Sequence, residues 1–259
     1  MELGIKNRTA LVCASTQGLG YACAEALARE GVVVFINGRD PQKLALAVEK
    51  LRSATGGEVK GIAADVTTAD GRASLLQGCP QPDILVNNNA GPSPGAFLEF
   101  DQARWMTALE ANMVAPLQLV RAVIPSMQQR QFGRIINITS AMVTTPRPHM
   151  TLSSGARAGL TAVMKGLSIE LARYNVTINN LLPERFDTAR QEQMARVAMS
   201  RDNIDYEEAR RRQVESICAQ RLGEPREFGA MCAFLCSDLA GYVSGQNIHL
   251  DGGSYPALI

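Results

Sequence analysis

The chain has 259 residues, and its 26 basic and 25 acidic side chains nearly cancel. That balance excludes the clustered basic excess of a nucleic-acid binder, and the scarcity of aromatic residues leaves no base-stacking surface. No apolar run is long enough to span a bilayer and the N-terminus carries no signal-like apolar stretch, so the expectation is a cytoplasmic protein without a membrane partner.

Strand-like apolar runs alternate with helix-like segments along the chain. Thr9 to Ala14 reads as a first strand. A small-residue helix follows from Gly18 to Glu30 and is closed by Gly31. Val32 to Asn37 is a second strand, and Asp40-Pro41 opens the next helix. Val59 to Ala64 and Ile84 to Asn87 are short buried strands, and a long helix follows Asp101. Arg134 to Thr139 is a strand, Ser153 to Tyr174 a helix, and Val176 to Leu182 and Ile248 to Leu250 are the last strands. Such alternation builds right-handed βαβ units, hence a doubly wound α/β fold with helices on both faces of a parallel sheet. No Pro-, Gly- and Ser-rich stretch divides the chain, so 1–259 reads as a single dinucleotide-binding domain. Residues 187–222 break the rhythm. They are polar and helical, either a solvated pair or a lid over the site. The six cysteines contain no Cys-x-x-Cys pair and there are only two histidines, so no metal is expected. Cys232 and Cys236 sit one helical turn apart and read as buried small hydrophobes.

The segment between the first strand and helix, Cys13 to Gly20, has the form of a phosphate cradle. Gly18 and Gly20 let the backbone approach a pyrophosphate, Ser15, Gln17 and Leu19 flank it, and the helix N-terminus offers unpaired N–H groups. Cofactor flavour is set after the second strand. An acidic residue there would bind ribose hydroxyls and repel a 2′-phosphate. The sequence instead reads Ile36-Asn37-Gly38-Arg39, and Arg39 suits a 2′-phosphate. NADP is therefore favoured over NAD.

Four further segments sharpen the reading: Ala64-Asp65-Val66, Asn87-Asn88-Asn89-Ala90-Gly91, Asn112 within the long helix, and Ile136 to Ser140 at the fifth strand. Together with the cradle and Asp251-Gly252-Gly253, the chain resembles the short-chain dehydrogenase/reductase family, close to 3-oxoacyl-carrier-protein reductase-like members. The resemblance implies a seven-stranded Rossmann-type sheet, a nicotinamide cofactor and a homotetramer or homodimer. It implies that Asp65 and Val66 hold the adenine, that Asn88, Asn89, Ala90 and Gly91 line the adenosine ribose, and that Pro183 and Thr188 hold the nicotinamide carboxamide. Ser140 would hydrogen-bond the substrate carbonyl, and the main-chain carbonyl of Asn112 would hold a relay water. Pro116 lacks the N–H that an α-helix would give to that carbonyl, which is expected to leave it free.

The resemblance fails at the reactive pair. The family's Tyr-x-x-x-Lys falls on Ser153 and Arg157 here. A phenol near a cation can exchange a proton near neutral pH, whereas a serine hydroxyl is far less acidic and a guanidinium does not give up its proton. Arg157 can still bind ribose hydroxyls. Ala14 replaces the first cradle glycine, which is strained if its φ is positive. Glu184 stands in the turn after the sixth strand, where the family has glycine. His149, in the loop before Ser153, is the candidate replacement acid. Arg147, Arg157 and Arg185 converge if the fold is right, which points to an anionic substrate. The leading expectation is an NADP-dependent oxidoreductase acting on a carbonyl or alcohol with an altered site. The alternatives are a dinucleotide-binding sensor or oligomer partner with little turnover, and a hydrolase or isomerase using His149 with Ser153.

Overall fold

The strands form one sheet whose inner members are buried on both faces. The computed structural model describes residues 1–258. Its seven strands are β1 (Thr9–Val12), β2 (Val33–Gly38), β3 (Val59–Ala63), β4 (Ile84–Asn87), β5 (Gly133–Ile138), β6 (Val176–Pro183) and β7 (Asn247–Leu250). They run parallel in the order β3-β2-β1-β4-β5-β6-β7. The helices are α1 (Gly18–Arg29), α2 (Pro41–Thr55), α3 (Ala69–Gly78), α4 (Gln102–Leu109), α5 (Ala115–Arg130), α6 (Thr151–Leu171), α7 (Ala189–Asp202), α8 (Tyr206–Glu215) and α9 (Pro225–Cys236).

Period-two alternation along the strands divides the core. Ala10 and Val12 of β1 and Val86 of β4 pack with Leu27 of α1, Leu44 of α2 and Phe228 of α9. Leu11 of β1 and Leu85 of β4 face the other way, onto Leu75 of α3, Leu119 of α5 and Leu160 of α6. The order reverses between β1 and β4, and a doubly wound sheet binds ligands in the crevice beyond its strand ends there.

Most expected elements form, with informative differences. The first strand stops at Val12 rather than Ala14, because the chain turns sharply at Ala14. The short helix α3 was not expected; Thr68 caps it by accepting from Gly71 N–H. The long helix after Asp101 is interrupted by a π-helical turn, Glu110–Val114. There the N–H of Ala115 reaches the carbonyl of Glu110, five residues back. In that register the N–H missing from Pro116 would have served Ala111. Asn89 Nδ2 supplies the replacement, 3.1 Å from the carbonyl of Ala111. The π turn thus adds the carbonyl of Ala111 to those that Pro116 leaves without a main-chain donor, and Asn89 fills that one.

Helix α1 carries the cradle, and its seat depends on α9. A Cβ added at Gly229 would lie 2.3 Å from the carbonyl oxygen of Ala22. The buried thiols of Cys23, Cys232 and Cys236 fill the remaining contact. Gly229→Ala is expected to force the helices apart at a cost of about 1–3 kcal/mol. Thermal unfolding should show a fall of several degrees; an unchanged midpoint would contradict this packing.

Candidate active site

The chain leaves β1 through a left-handed residue that is not glycine. Ala14 has φ 44°, a conformation that costs an L side chain roughly 1–2 kcal/mol. Three bonds hold the turn. Ala14 N–H donates to Asn37 Oδ1 at 3.2 Å, its carbonyl accepts from Asn88 Nδ2 at 3.0 Å, and the N–H of Ser15 donates to the carbonyl of Asn37 at 2.9 Å. Ser15 is buried, its hydroxyl donating to the carbonyl of Val12 at 2.6 Å and accepting from Asn37 N–H at 3.0 Å. It therefore forms the floor of the cradle and does not line the cleft.

Past this turn, Gly18 has φ 63° and opens α1. A Cβ at Gly18 would have only the Thr188 methyl nearby, at 4.0 Å, so the space above it is clear. Gly20 serves packing instead, since a Cβ there would lie 2.7 Å from both the carbonyl of Ala14 and Asn88 Nδ2. Asp40, Thr68 and Asp101 cap α2, α3 and α4 with side-chain oxygens, whereas Gln17 makes no such bond to α1. The first N–H groups of α1 are thus left to the cleft, where an anion suits them.

The cleft has a volume of about 690 Å³, in the range of cofactor sites. Gln17, Gly18, Leu19, Arg39, Asp65, Val66, Asn89, Ala90, Gly91, Ser140, Arg157, Pro183 and Thr188 all line it, as the sequence led us to expect. At one end the side chain of Arg39 is 77% exposed and lies 3.9 Å from Asp65. Burial pushes the Asp65 carboxyl up, but the hydroxyl and N–H of Thr67, with Arg39, outweigh it and hold the group below its ordinary value. Sequence reasoning missed Asn37 and the first turn of α7, where Ala189, Arg190, Gln191 and Gln193 wall the cleft. A polar residue in an otherwise apolar β2 was the available signal for Asn37.

At the other end, Ser140 Oγ accepts from Met142 N–H at 3.2 Å, which leaves its hydroxyl hydrogen free for a ligand. Arg157 is buried. Its Nη1 donates to the carbonyls of Ile138 (2.6 Å) and Thr139 (3.0 Å), and its Nη2 to the carbonyl of Asn89 (3.3 Å). Burial without a carboxylate partner pushes its guanidinium down to about 10, so it stays charged at neutral pH. Ser153 is buried behind the wall rather than in it, a short side chain where a phenol would reach the cleft. Asn112 is buried outside the lining, its side chain on the carbonyl of Ala108. His149 is exposed in a short turn, and its carbonyl accepts from Gly95 N–H. Among the described residues no hydrogen bond joins His149 to Ser153, the pair that the hydrolytic alternative would use.

The expected convergence of three arginines on an anionic ligand is also corrected. Arg147 Nη2 and Arg185 Nε lie 2.8 and 3.7 Å from Oε1 of Glu184, whose side chain is 5% exposed. Arg185 also donates to the carbonyl of Gln213 at 2.6 Å and to Ser216 Oγ, which ties the turn to the end of α8. The anion these groups needed is part of the chain.

The family model described as Enoyl-(Acyl carrier protein) reductase matches residues 13–255. The chain belongs to the short-chain dehydrogenase/reductase family. Nodulation protein G of a Rhizobium species is 33% identical over 253 residues, covering 96% of this chain and 97% of that protein. The NADPH-dependent reductase BacG of Bacillus subtilis is 31% identical over 259 residues, covering 98% of this chain and all of that protein. The crystal structure of L-sorbose reductase from Gluconobacter frateurii, complexed with NADPH and L-sorbose, superposes with a TM-score of 0.95 at 27% identity over 100% of both chains. Among the described residues, no helix is long and apolar enough to cross a membrane.

The strain at Ala14 makes a direct prediction. Ala14→Gly relieves the left-handed penalty and should stabilise the protein by about 1 kcal/mol, a rise of roughly 2–4 °C in thermal midpoint. A lower midpoint would mean that the turn is not left-handed.

Proposed function

We propose that this short-chain family member is an NADP-preferring oxidoreductase acting on a carbonyl or alcohol carbon, with no side-chain acid at the reactive position. The observation that carries this reading is one continuous cleft. It joins the uncapped N-terminus of α1 and the exposed cation Arg39 at one end to the free Ser140 hydroxyl at the other. The residues fit NADP: N–H groups for the pyrophosphate, clear space above Gly18, Arg39 for the 2′-phosphate and Asp65 for the adenine. Bound NADP supplies or accepts the hydride. Ser140 holds the substrate oxygen by donating its hydrogen. Arg157 lines the cleft, and the N–H groups it does not spend on Ile138, Thr139 and Asn89 bind ribose hydroxyls. Water supplies the proton, since the acids lining the cleft are Asp65 at the adenosine end and the ion-paired Glu184. Residues 187–222 act as a lid, with α7 already forming part of the wall. The names of the relatives, an NADPH-dependent reductase and a sugar reductase crystallised with NADPH, support the cofactor assignment.

A second reading, nucleotide binding with little turnover, is favoured by the commitment of Arg157 to three carbonyls. Nucleotide titration combined with a carbonyl panel separates the two. The oxidoreductase reading predicts NADPH binding and measurable wild-type turnover. It also predicts a gain of about 10²–10⁴-fold on restoring an acid with Ser153→Tyr and Arg157→Lys together. Binding with turnover confined to the double variant would favour the second reading. Arg39→Gln should weaken NADPH about 10- to 100-fold and leave NADH unchanged, read by equilibrium titration. Equal losses for both nucleotides would refute the role of Arg39.

A further inference from the structure

The substrate end of the cleft presents an unusual order of charges. Glu184 lines the cleft, whereas Arg147 and Arg185 do not. Both arginines are already engaged by that one carboxylate, and Arg185 is further fixed by Gln213 and Ser216. Arg157 at this end is held by main-chain carbonyls, and Arg190 on the α7 wall has the neutral Gln193 as its side-chain partner. A ligand beside Ser140 therefore shares the cleft with a carboxylate, and the Arg147–Arg185 pair that would grip an anion is occupied.

We propose that Glu184 determines substrate specificity as a built-in anion: it occupies the Arg147–Arg185 pair, so the site takes uncharged carbonyl or alcohol substrates and turns away carboxylates. The substrate half of this statement rests on the oxidoreductase reading above; the anion-site half does not. Removing the carboxylate vacates a two-arginine site with the geometry of a carboxylate receptor. Glu184 would then be exchangeable for an external carboxylate, as a mobile substrate group would be.

The test uses benzoate as the probe, at constant ionic strength and without nucleotide. Wild type should show no thermal shift with benzoate. Glu184→Ala should unfold at lower temperature and be restored saturably by benzoate, by roughly 5 °C or more at a hundredfold excess over Kd. Glu184→Gln, which removes the charge and keeps the bulk, should respond less. Adding Arg147→Gln to Glu184→Ala should abolish the response. Equal stabilisation of wild type, or no response in a folded Glu184→Ala, would overturn the proposal. A second arm needs no variant. With NADPH, wild type should reduce a para-nitro benzaldehyde at least about tenfold faster, in kcat/KM, than its para-carboxylate analogue. A preference for the carboxylate would overturn the proposal even if Glu184→Ala did not fold. If neither aldehyde is reduced while benzoate still rescues Glu184→Ala, the oxidoreductase reading fails and the built-in anion stands.

Discussion

One buried amide organises the cleft. Asn37 is 1% exposed, and its side chain accepts from Ala14 N–H while donating to the carbonyls of Ile62 (3.1 Å) and Ala64 (2.9 Å). Its own N–H donates to Ser15 Oγ. The ends of β1, β2 and β3 are thereby fixed to one another just where the sheet must present an open edge. An unpaired buried polar group costs about 1–3 kcal/mol, so these bonds act together. They are what allows alanine to persist in a left-handed turn that glycine would adopt freely. The pyrophosphate end of the cleft is built on this network, and Asn88 closes it from the β4 side.

The opposite end of the cleft is braced by a buried cation. Arg157 bridges the ends of β4 and β5 through three carbonyls, and with no carboxylate near it the charge is compensated by dipoles alone. Such a buried cation is costly to leave unpaired, which explains why its donors are spent on the backbone. Glu184 makes the complementary choice, a buried carboxylate satisfied by two arginines. In the proposed reading, holding a nucleotide draws on α1, Asn37, Arg39 and Asp65, whereas acting on a substrate rests on Ser140 and on what Glu184 admits.

The fold was legible because its determinants are local and repetitive: apolar strands, capped helices and their alternation. The cradle was legible because glycines and a helix start share a short segment. Other features depended on facts that no local pattern encodes. The π turn at Glu110–Val114 interrupts a helix that the sequence reads as continuous, and it brings the carbonyl of Ala111 to Asn89. Ser15 lies within the cradle sequence yet points into the floor, because Val12 and Asn37 claim its hydroxyl. Arg147 and Arg185 were correctly grouped but wrongly assigned to an external anion, since Glu184, next to Arg185 in the chain, takes them both, while Arg157 is held apart by main-chain carbonyls. His149 was singled out by its chemistry, and the loop then carried it to the surface.

The central claim is that this altered cleft still transfers a hydride from a nicotinamide to a carbonyl carbon. The most direct measurement is to incubate the wild-type protein with NADPH deuterated on its transferable ring position and an uncharged aldehyde, and to locate the label by mass spectrometry. The account predicts deuterium on the former carbonyl carbon of the alcohol product. Saturable NADPH binding with no label in the product, across a range of uncharged carbonyl compounds, would contradict it.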